Sequence, residues 1–257
     1  MFLRLRQLCL VARDLEPVVE DLRAVFELEV CHRDPEVARF GLHNALLRVG
    51  TSFIEVVAPL REGTTAGRYL ERRGGDGGYM VILDCADVEP WRQHVAAVGV
   101  RVAASLEVGG YQGLQLHPRD TGGALLEINR TEGGDDLLGA YWPAGSHWQH
   151  APQSRSALAI TGAVVQGASA SQLASRWSQV LRRPALPAGD GFEMALDNAH
   201  LRFVDARDGR GDGLTGVDID VADPAPVLAR ARERGCLADG SEVSIGGVRW
   251  RLYRPQP

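Results

Sequence analysis

The feature that most restricts the fold of this 257-residue chain is a pattern that returns four times: an apolar strand, an amphipathic helix, then shorter strands punctuated by glycine. The first copy opens with LRQLCLVARDLEPVVEDLRAVFELEV, where Asp14 is placed to cap the helix, and closes with ARFGLHNALLRVGTSFIEVVAP. The second repeats strand, Asp87, helix and strand in YMVILDCADVEPWRQHVAAVGVRV and ends in a hairpin, GLQLHPRDTGGALLEINR. A third copy runs through ALAITGAVVQGASASQLASRWSQVLRRPALP and DGFEMALDNAHLRFVDA, and a fourth through GLTGVDIDVADPAPVLARARERGCLADG and SEVSIGGVRWRLYRP. The expected fold class is therefore α+β, built from four βαβββ modules.

Between the second and third copies, TEGGDDLLGAYWPAGSHWQHAPQSRS is rich in Gly, Ser, Pro and Asp and has no sustained periodicity. This predicts a first domain over 1–132 (modules 1–60 and 75–130), a linker over 133–156 and a second domain over 157–257. Trp142 and Trp148 argue that the linker packs across the domains, because large aromatics bury area wherever they can.

Composition excludes several classes. Hydrophobic residues make up 45% and the net charge is −5, with no basic cluster interleaved with aromatics, so nucleic acid and anionic membranes are poor partners and a small-molecule ligand is expected. MFLRLRQLCLVARDL places arginines through its apolar stretch and reads as a first strand rather than a secretory signal, which points to the cytoplasm. Cys9, Cys31, Cys85 and Cys236 are widely spaced, with no CxxC pair, and imply reduced thiols rather than disulfides or a zinc site.

The chemistry to explain is a carboxylate inside an apolar strand, Glu127 in ALLEIN. Glu55 occupies the corresponding place in the first module. An arbitrary strand glutamate sits in water or pairs with arginine, but two acids at equivalent positions of paired modules would face one cup. In the hairpin, Gln115 should stand opposite Glu127, with His117 further along on the same face. His117 has the plainer alternative of a residue at the hairpin tip. Asp84 shares the strand face of Met80 and Ile82. The glycines of DTGG read as turn residues and not as a phosphate cradle, since no helix N-terminus follows them.

LCLVARDLEPVVEDLRAVFELEV and HPRDTGG resemble the vicinal oxygen chelate superfamily, which includes glyoxalase I, methylmalonyl-CoA epimerase, bleomycin-resistance proteins and extradiol dioxygenases. The resemblance extends over nearly the whole chain and implies tandem glyoxalase-like domains whose curved mixed sheets enclose a cup. It also implies metal ligands on the first and fourth strands of each module. Those positions fall on Gln7, Glu55 and Glu127, with Met80 where a histidine is usual, so the implied cofactor is one divalent ion (Zn, Ni, Co or Mg) or none. In the second half the positions are Gly162, Arg202, Gly216 and Arg251, which argues against a metal there and against the dioxygenase reading.

What the resemblance implies about activity is a lyase or isomerase (epimerase) acting on a small carbonyl compound or thioester. Glu127 and Glu55 would be its catalytic acids, and His117, Gln115, Met80 and Asp84 would line the ligand site. The alternative is a metal-free binding protein of the bleomycin-resistance kind. A homodimer is the assembly to consider.

Overall fold

Why each module begins with a strand is visible in β1 (Leu3–Val11), whose residues are all buried, as a central strand covered on both faces requires. The structure, a computed structural model, describes residues 2–238 and 242–255. The first module continues with α1 (Leu15–Phe26), β2 (Val30–His32), β3 (Leu42–Val49) and β4 (Ser52–Pro59), and a short helix, α2 (Thr65–Arg73), leads onward. The second comprises β5 (Gly77–Cys85), α3 (Glu89–Ala97), β6 (Val102–Val108), β7 (Tyr111–Leu116), a one-turn α4 (Pro118–Thr121) and β8 (Leu125–Thr131). The third comprises β9 (Ala157–Gly167), α5 (Ala170–Leu181), β10 (Ala185–Ala188), β11 (Gly191–Ala195) and β12 (His200–Asp205). The fourth comprises β13 (Gly213–Val221), α6 (Pro224–Glu233), β14 (Leu237–Ala238), β15 (Glu242–Ile245) and β16 (Val248–Tyr253). Each copy thus carries one strand, a helix and three further strands.

Helix entry uses a side chain of the residue before the helix in some modules only. Ser169 accepts from the Gln172 amide and Asp223 from the Ala225 amide. Asp14 holds the N-cap position of α1 with extended φ and ψ, yet its side chain makes no capping bond, contrary to the expectation from sequence. The helix instead draws its stability from a continuous apolar face (Leu15, Val18, Val19, Leu22, Val25 and Phe26) pressed into the core.

Within the modules the last three strands run antiparallel, and the fourth strand returns parallel to the first: β5 with β8, β9 with β12, β13 with β16. The registers agree. Ile82 is level with Glu127, Val164 with Arg202 and Asp218 with Arg251, so the fourth-strand position always lies opposite the residue two beyond the first-strand position. Parallel pairing at that offset places both positions on one face, because side chains alternate with period two.

The chain forms two compact units that do not follow the sequential division into 1–132 and 157–257. One unit contains Met1–Leu8, Tyr79–Trp142 and Gly162–Leu214; the other contains Cys9–Gly78, Pro143–Thr161 and Thr215–Pro257. The second and third modules therefore share a unit, as do the first and fourth. Helix packing accounts for both associations. In the first unit Arg176 of α5 donates to the carbonyls of Asp120 (2.7 Å) and Val98 (3.1 Å), and Gly123 lies where a Cβ would come within 2.5 Å of Val165. In the second unit Phe26 at the end of α1 packs on Trp250 with centroids 4.9 Å apart, and Arg230 of α6 donates to the Val25 carbonyl at 2.9 Å. The linker is divided accordingly: Tyr141 is buried within the first unit, and Trp148 within the second, edge-on to Phe53.

Candidate functional site

The pleat of β8 settles where its acid points. Leu126 and Ile128 are wholly buried in the core, whereas Leu125, Glu127 and Asn129 alternate onto the opposite face. β7 supplies the neighbours. Its register sets Gln115 opposite Glu127, Gly113 opposite Asn129 and Tyr111 opposite Thr131. Gly113 is what lets Tyr111 reach the acid, since a Cβ there would sit 3.0 Å from the Tyr111 hydroxyl oxygen. The ring crosses that gap diagonally.

Glu127 is 3% exposed, and protein donors meet both of its oxygens. Tyr111 donates its phenol to Oε1, Asn129 donates Nδ2 to Oε1 at 3.3 Å, and Gln115 donates Nε2 to Oε2 at 2.9 Å. A buried carboxylate without such donors would be costly; here it is bound firmly to the sheet. Burial, and then the Glu127 charge, hold the Tyr111 phenol well above its ordinary value of 10.0, so it remains a donor.

A second layer comes from the segment after β8. Tyr141 is 2% exposed and donates its hydroxyl to Gln7 Oε1 at 3.0 Å, while Trp142 stacks on Tyr111 with centroids 5.3 Å apart. Burial, followed by the charge of Glu127, also raises the Tyr141 phenol well above its usual range. The guanidinium of Arg6 lies 5.0 Å from the centre of the Tyr141 ring. Arg6 is fully buried, and that burial lowers its affinity for a proton despite the pull of Asp84. Arg4 fixes the segment from below, donating Nη1 to the Asp135 carbonyl and Nη2 to the Gly134 carbonyl, both at 2.8 Å.

The residues singled out from sequence meet different fates. Gln7, Met80, Asp84, Gln115, His117 and Glu127 all belong to one unit, and Glu55 belongs to the other. Gln115 takes the position expected of it. Asp84 is buried in a two-pronged pair with Arg4 at 2.9 and 2.6 Å, with Arg6 at 4.0 Å. Burial pushes its carboxyl above the ordinary value against the pull of Arg4 and Arg6. His117 turns to its own chain, accepting the Arg119 amide on Nδ1 at 3.2 Å and capping α4. Met80 is buried on β5 beside Leu125. Glu55 is buried at the equivalent place of the other unit and accepts from Asn44 Nδ2 at 2.7 Å. Arg251, at the same position of the fourth module, lies 3.5 Å from Glu242.

Tyr111, Tyr141, Asn129, Arg4 and Arg6 are members of this cluster that sequence reasoning passed over. Tyr111 and Asn129 share the alternation of Gln115 and Glu127, and that signal was available. Arg4 and Arg6, spaced two apart in an apolar strand, also carried one. Nothing in a Gly-rich linker marked Tyr141.

These residues do not fit a divalent ion as they are arranged. Among the described residues no three His, Cys, Asp or Glu side chains gather closely enough to hold one. The amide oxygen of Gln7 is engaged by a phenol, Glu127 is met by three donors, and a thioether suits soft Cu(I) better than Zn, Ni, Co or Mg.

Comparison with known proteins gives a consistent picture. The profile of a glyoxalase-like domain matches residues 8–181. An ethylmalonyl-CoA/methylmalonyl-CoA epimerase of Cereibacter sphaeroides is 28% identical over 131 residues, which is 49% of this chain and 97% of the epimerase. Among solved structures, a hypothetical protein from Staphylococcus aureus superposes with a TM-score of 0.68 at 14% identity, covering 99% of this chain and all (100%) of that one. A variant of 4-hydroxymandelate synthase from Streptomyces coelicolor superposes at 0.63 with 14% identity, covering 90% of this chain and 75% of the synthase. At such identities the two structures speak for the fold alone.

Proposed function

The chain belongs to the glyoxalase-like domain family, within the vicinal oxygen chelate superfamily, and on that premise we propose that it is an isomerase- or lyase-type protein acting on a small carbonyl compound or thioester at the Glu127 cluster. The observation that carries this reading is a carboxylate 3% exposed, held on both oxygens by Tyr111, Gln115 and Asn129, on the fourth strand of its module. Such a group is oriented in advance for proton transfer. Glu127 takes a proton from the carbon beside a carbonyl and returns it, while the two carboxamides keep the carboxylate in place as its charge is lost and regained. The epimerase alignment over about half of the chain supports carbon-acid chemistry of this kind. Glu55 is the corresponding acid of the other unit. Four free cysteines, three of them buried, accord with a reducing, cytoplasmic setting. Among the described residues no helix is long and apolar enough to cross a membrane, which says nothing of a β-barrel.

The test is deuterium incorporation at the α-carbon of methylmalonyl-CoA and of simpler thioesters in D2O, followed by proton NMR. Wild type should exchange and Glu127→Gln should lose at least a hundred-fold. Equal exchange by the two proteins removes Glu127 from the mechanism.

One observation favours a second reading: Met80 stands where the family's imidazole is expected, as in a protein that retains the cup for binding and has given up the chemistry. Saturable binding with no exchange by wild type would select it.

A further inference from the structure

The fourth module has an opening of its own, away from the Glu127 cluster. Where α6 begins beside the C-terminal end of β16 there is a cavity of about 490 Å3, within the range of roughly 300–1,000 Å3 usual for small-molecule sites. Pro224 and Leu228 of α6 and Trp250 and Leu252 of β16 give it an apolar wall. Trp250 is wholly buried and donates Nε1 to the Ile245 carbonyl at 3.2 Å, so its ring adds only apolar surface. Two opposite charges enter the same cavity, Glu242 from β15 and Arg251 from β16. The antiparallel register brings them together: Val243 is level with Trp250, and the next place along sets Glu242 beside Arg251. Their pairing is loose. Arg251 Nε lies 3.5 Å from Glu242 Oε1, longer than an ordinary N–H···O bond, and the two side chains are 36% and 26% exposed. Neither makes a hydrogen bond among the described residues. A guanidinium with its donors to give and a carboxylate with its acceptors to fill therefore share one apolar-walled opening.

We propose that this cavity is a second site, for binding alone, that takes a free α-amino acid with an aliphatic side chain: its carboxylate on the fork of Arg251, its ammonium on Glu242, its side chain against Pro224, Leu228 and Leu252. The planar guanidinium matches a carboxylate with two parallel hydrogen bonds. Protein charges 3.5 Å apart suit a ligand whose own two charges sit on adjoining carbons, as in an α-amino acid. Each protein charge also rejects the wrong ligand, since Glu242 repels a simple carboxylate and Arg251 repels a simple amine. A part-exposed ion pair contributes little by itself, so a ligand that satisfies both partners displaces nothing costly. This site stands apart from the α-proton chemistry proposed for Glu127 and does not depend on it.

The experiment is calorimetric titration of the full chain with three ligands of one shape: L-leucine, isocaproate, which lacks the ammonium, and isoamylamine, which lacks the carboxylate. Leucine should saturate and bind at least about ten-fold more tightly than either analogue, because each analogue leaves one protein charge facing apolar or like-charged surface. Saturation-transfer NMR should show the leucine methyls closest to the protein. Arg251→Gln and Glu242→Gln should each weaken leucine by at least about ten-fold, and Glu242→Gln should leave isocaproate no weaker than before, since it removes a repulsion. Thermal midpoints check that both variants fold. Leu228→Trp, which fills the cavity from α6 and keeps both charges, should also weaken leucine and carries the test should a charge variant fail to fold. No saturable binding of leucine by wild type overturns the proposal, as does leucine binding that Arg251→Gln, Glu242→Gln and Leu228→Trp all leave unchanged. Isocaproate binding as tightly as leucine overturns the assignment of a zwitterion.

Discussion

Replacing Glu127 by glutamine keeps the shape of the side chain and reverses one of its hydrogen-bonding roles, which makes it the sharpest probe of the cluster. In the native site three donors converge on two acceptor oxygens: Tyr111 and Asn129 on Oε1, Gln115 on Oε2. Glutamine retains one acceptor and introduces an NH2, so whichever way the amide turns, at least one donor faces a donor. A buried donor left unsatisfied costs about 1–3 kcal/mol. The bonds that survive change from charge-assisted to neutral, at about 1 kcal/mol each. The sum is roughly 3–5 kcal/mol for Glu127→Gln. Tyr111→Phe alone removes one charge-assisted bond, at roughly 1.5–3 kcal/mol. In the double variant the new NH2 can point into the place the phenol vacated, so the two losses should overlap by about 1–2 kcal/mol. Urea unfolding of the four proteins, followed by tryptophan fluorescence and circular dichroism so that separate unfolding of the two units is detected, measures that coupling. Additive single losses, within about 0.5 kcal/mol, would show that Tyr111 does not donate to Glu127, and the description of the site would fall with it.

Other outcomes follow from the same structure. Burial raises the Tyr111 and Tyr141 phenols above 10.0, so the folded state holds these protons more tightly than the unfolded chain; the stability they contribute is present below pH 10 and is lost as pH rises beyond it. Alkaline unfolding curves should therefore flatten in Tyr111→Phe and again in Tyr141→Phe, and an unchanged slope would contradict the burial of these hydroxyls. Burial pushes the Cys85 thiol up to about 12 and the Cys31 and Cys236 thiols up to about 11, so Ellman's reagent at pH 8 should titrate them only after denaturation; rapid reaction of native protein would refute this. Gly247→Ala should destabilise by at least about 2 kcal/mol, since its φ is +70° and a Cβ would lie 1.8 Å from the Asp76 carbonyl oxygen. A thermal midpoint unmoved by that change would show that the turn relaxes freely. Met80→His combined with Tyr141→Phe takes the phenol off Gln7 and restores an imidazole, and calorimetric titration should then show tighter zinc binding than in wild type; equal, negligible binding by both proteins would mean that Gln7 and Met80 do not address a common point.

Period alone determined much of this protein. The apolar runs of β1, β5, β9 and β13 and the helical stripes that follow them are local patterns, and a strand or helix buries its apolar residues whatever its neighbours are, so four βαβββ modules could be read directly from the chain. The opposition of Gln115 and Glu127 was equally legible, because hairpin register follows from counting along two strands. What the sequence could not carry was every choice made at a distance. Module order suggested domains in succession, whereas the compact units join the second module to the third and the first to the fourth, a matter of which helices and aromatic faces fit together. His117 and Asp84 both read as residues lining the ligand site, but a one-turn helix takes the Nδ1 of His117, and Arg4, 80 positions away, closes on Asp84. Tyr141, 134 positions from Gln7, reaches it only through the path of the linker. Periodicity records which side of an element is buried; the partner that meets a polar atom there is fixed by packing between segments whose separation along the chain carries no signal.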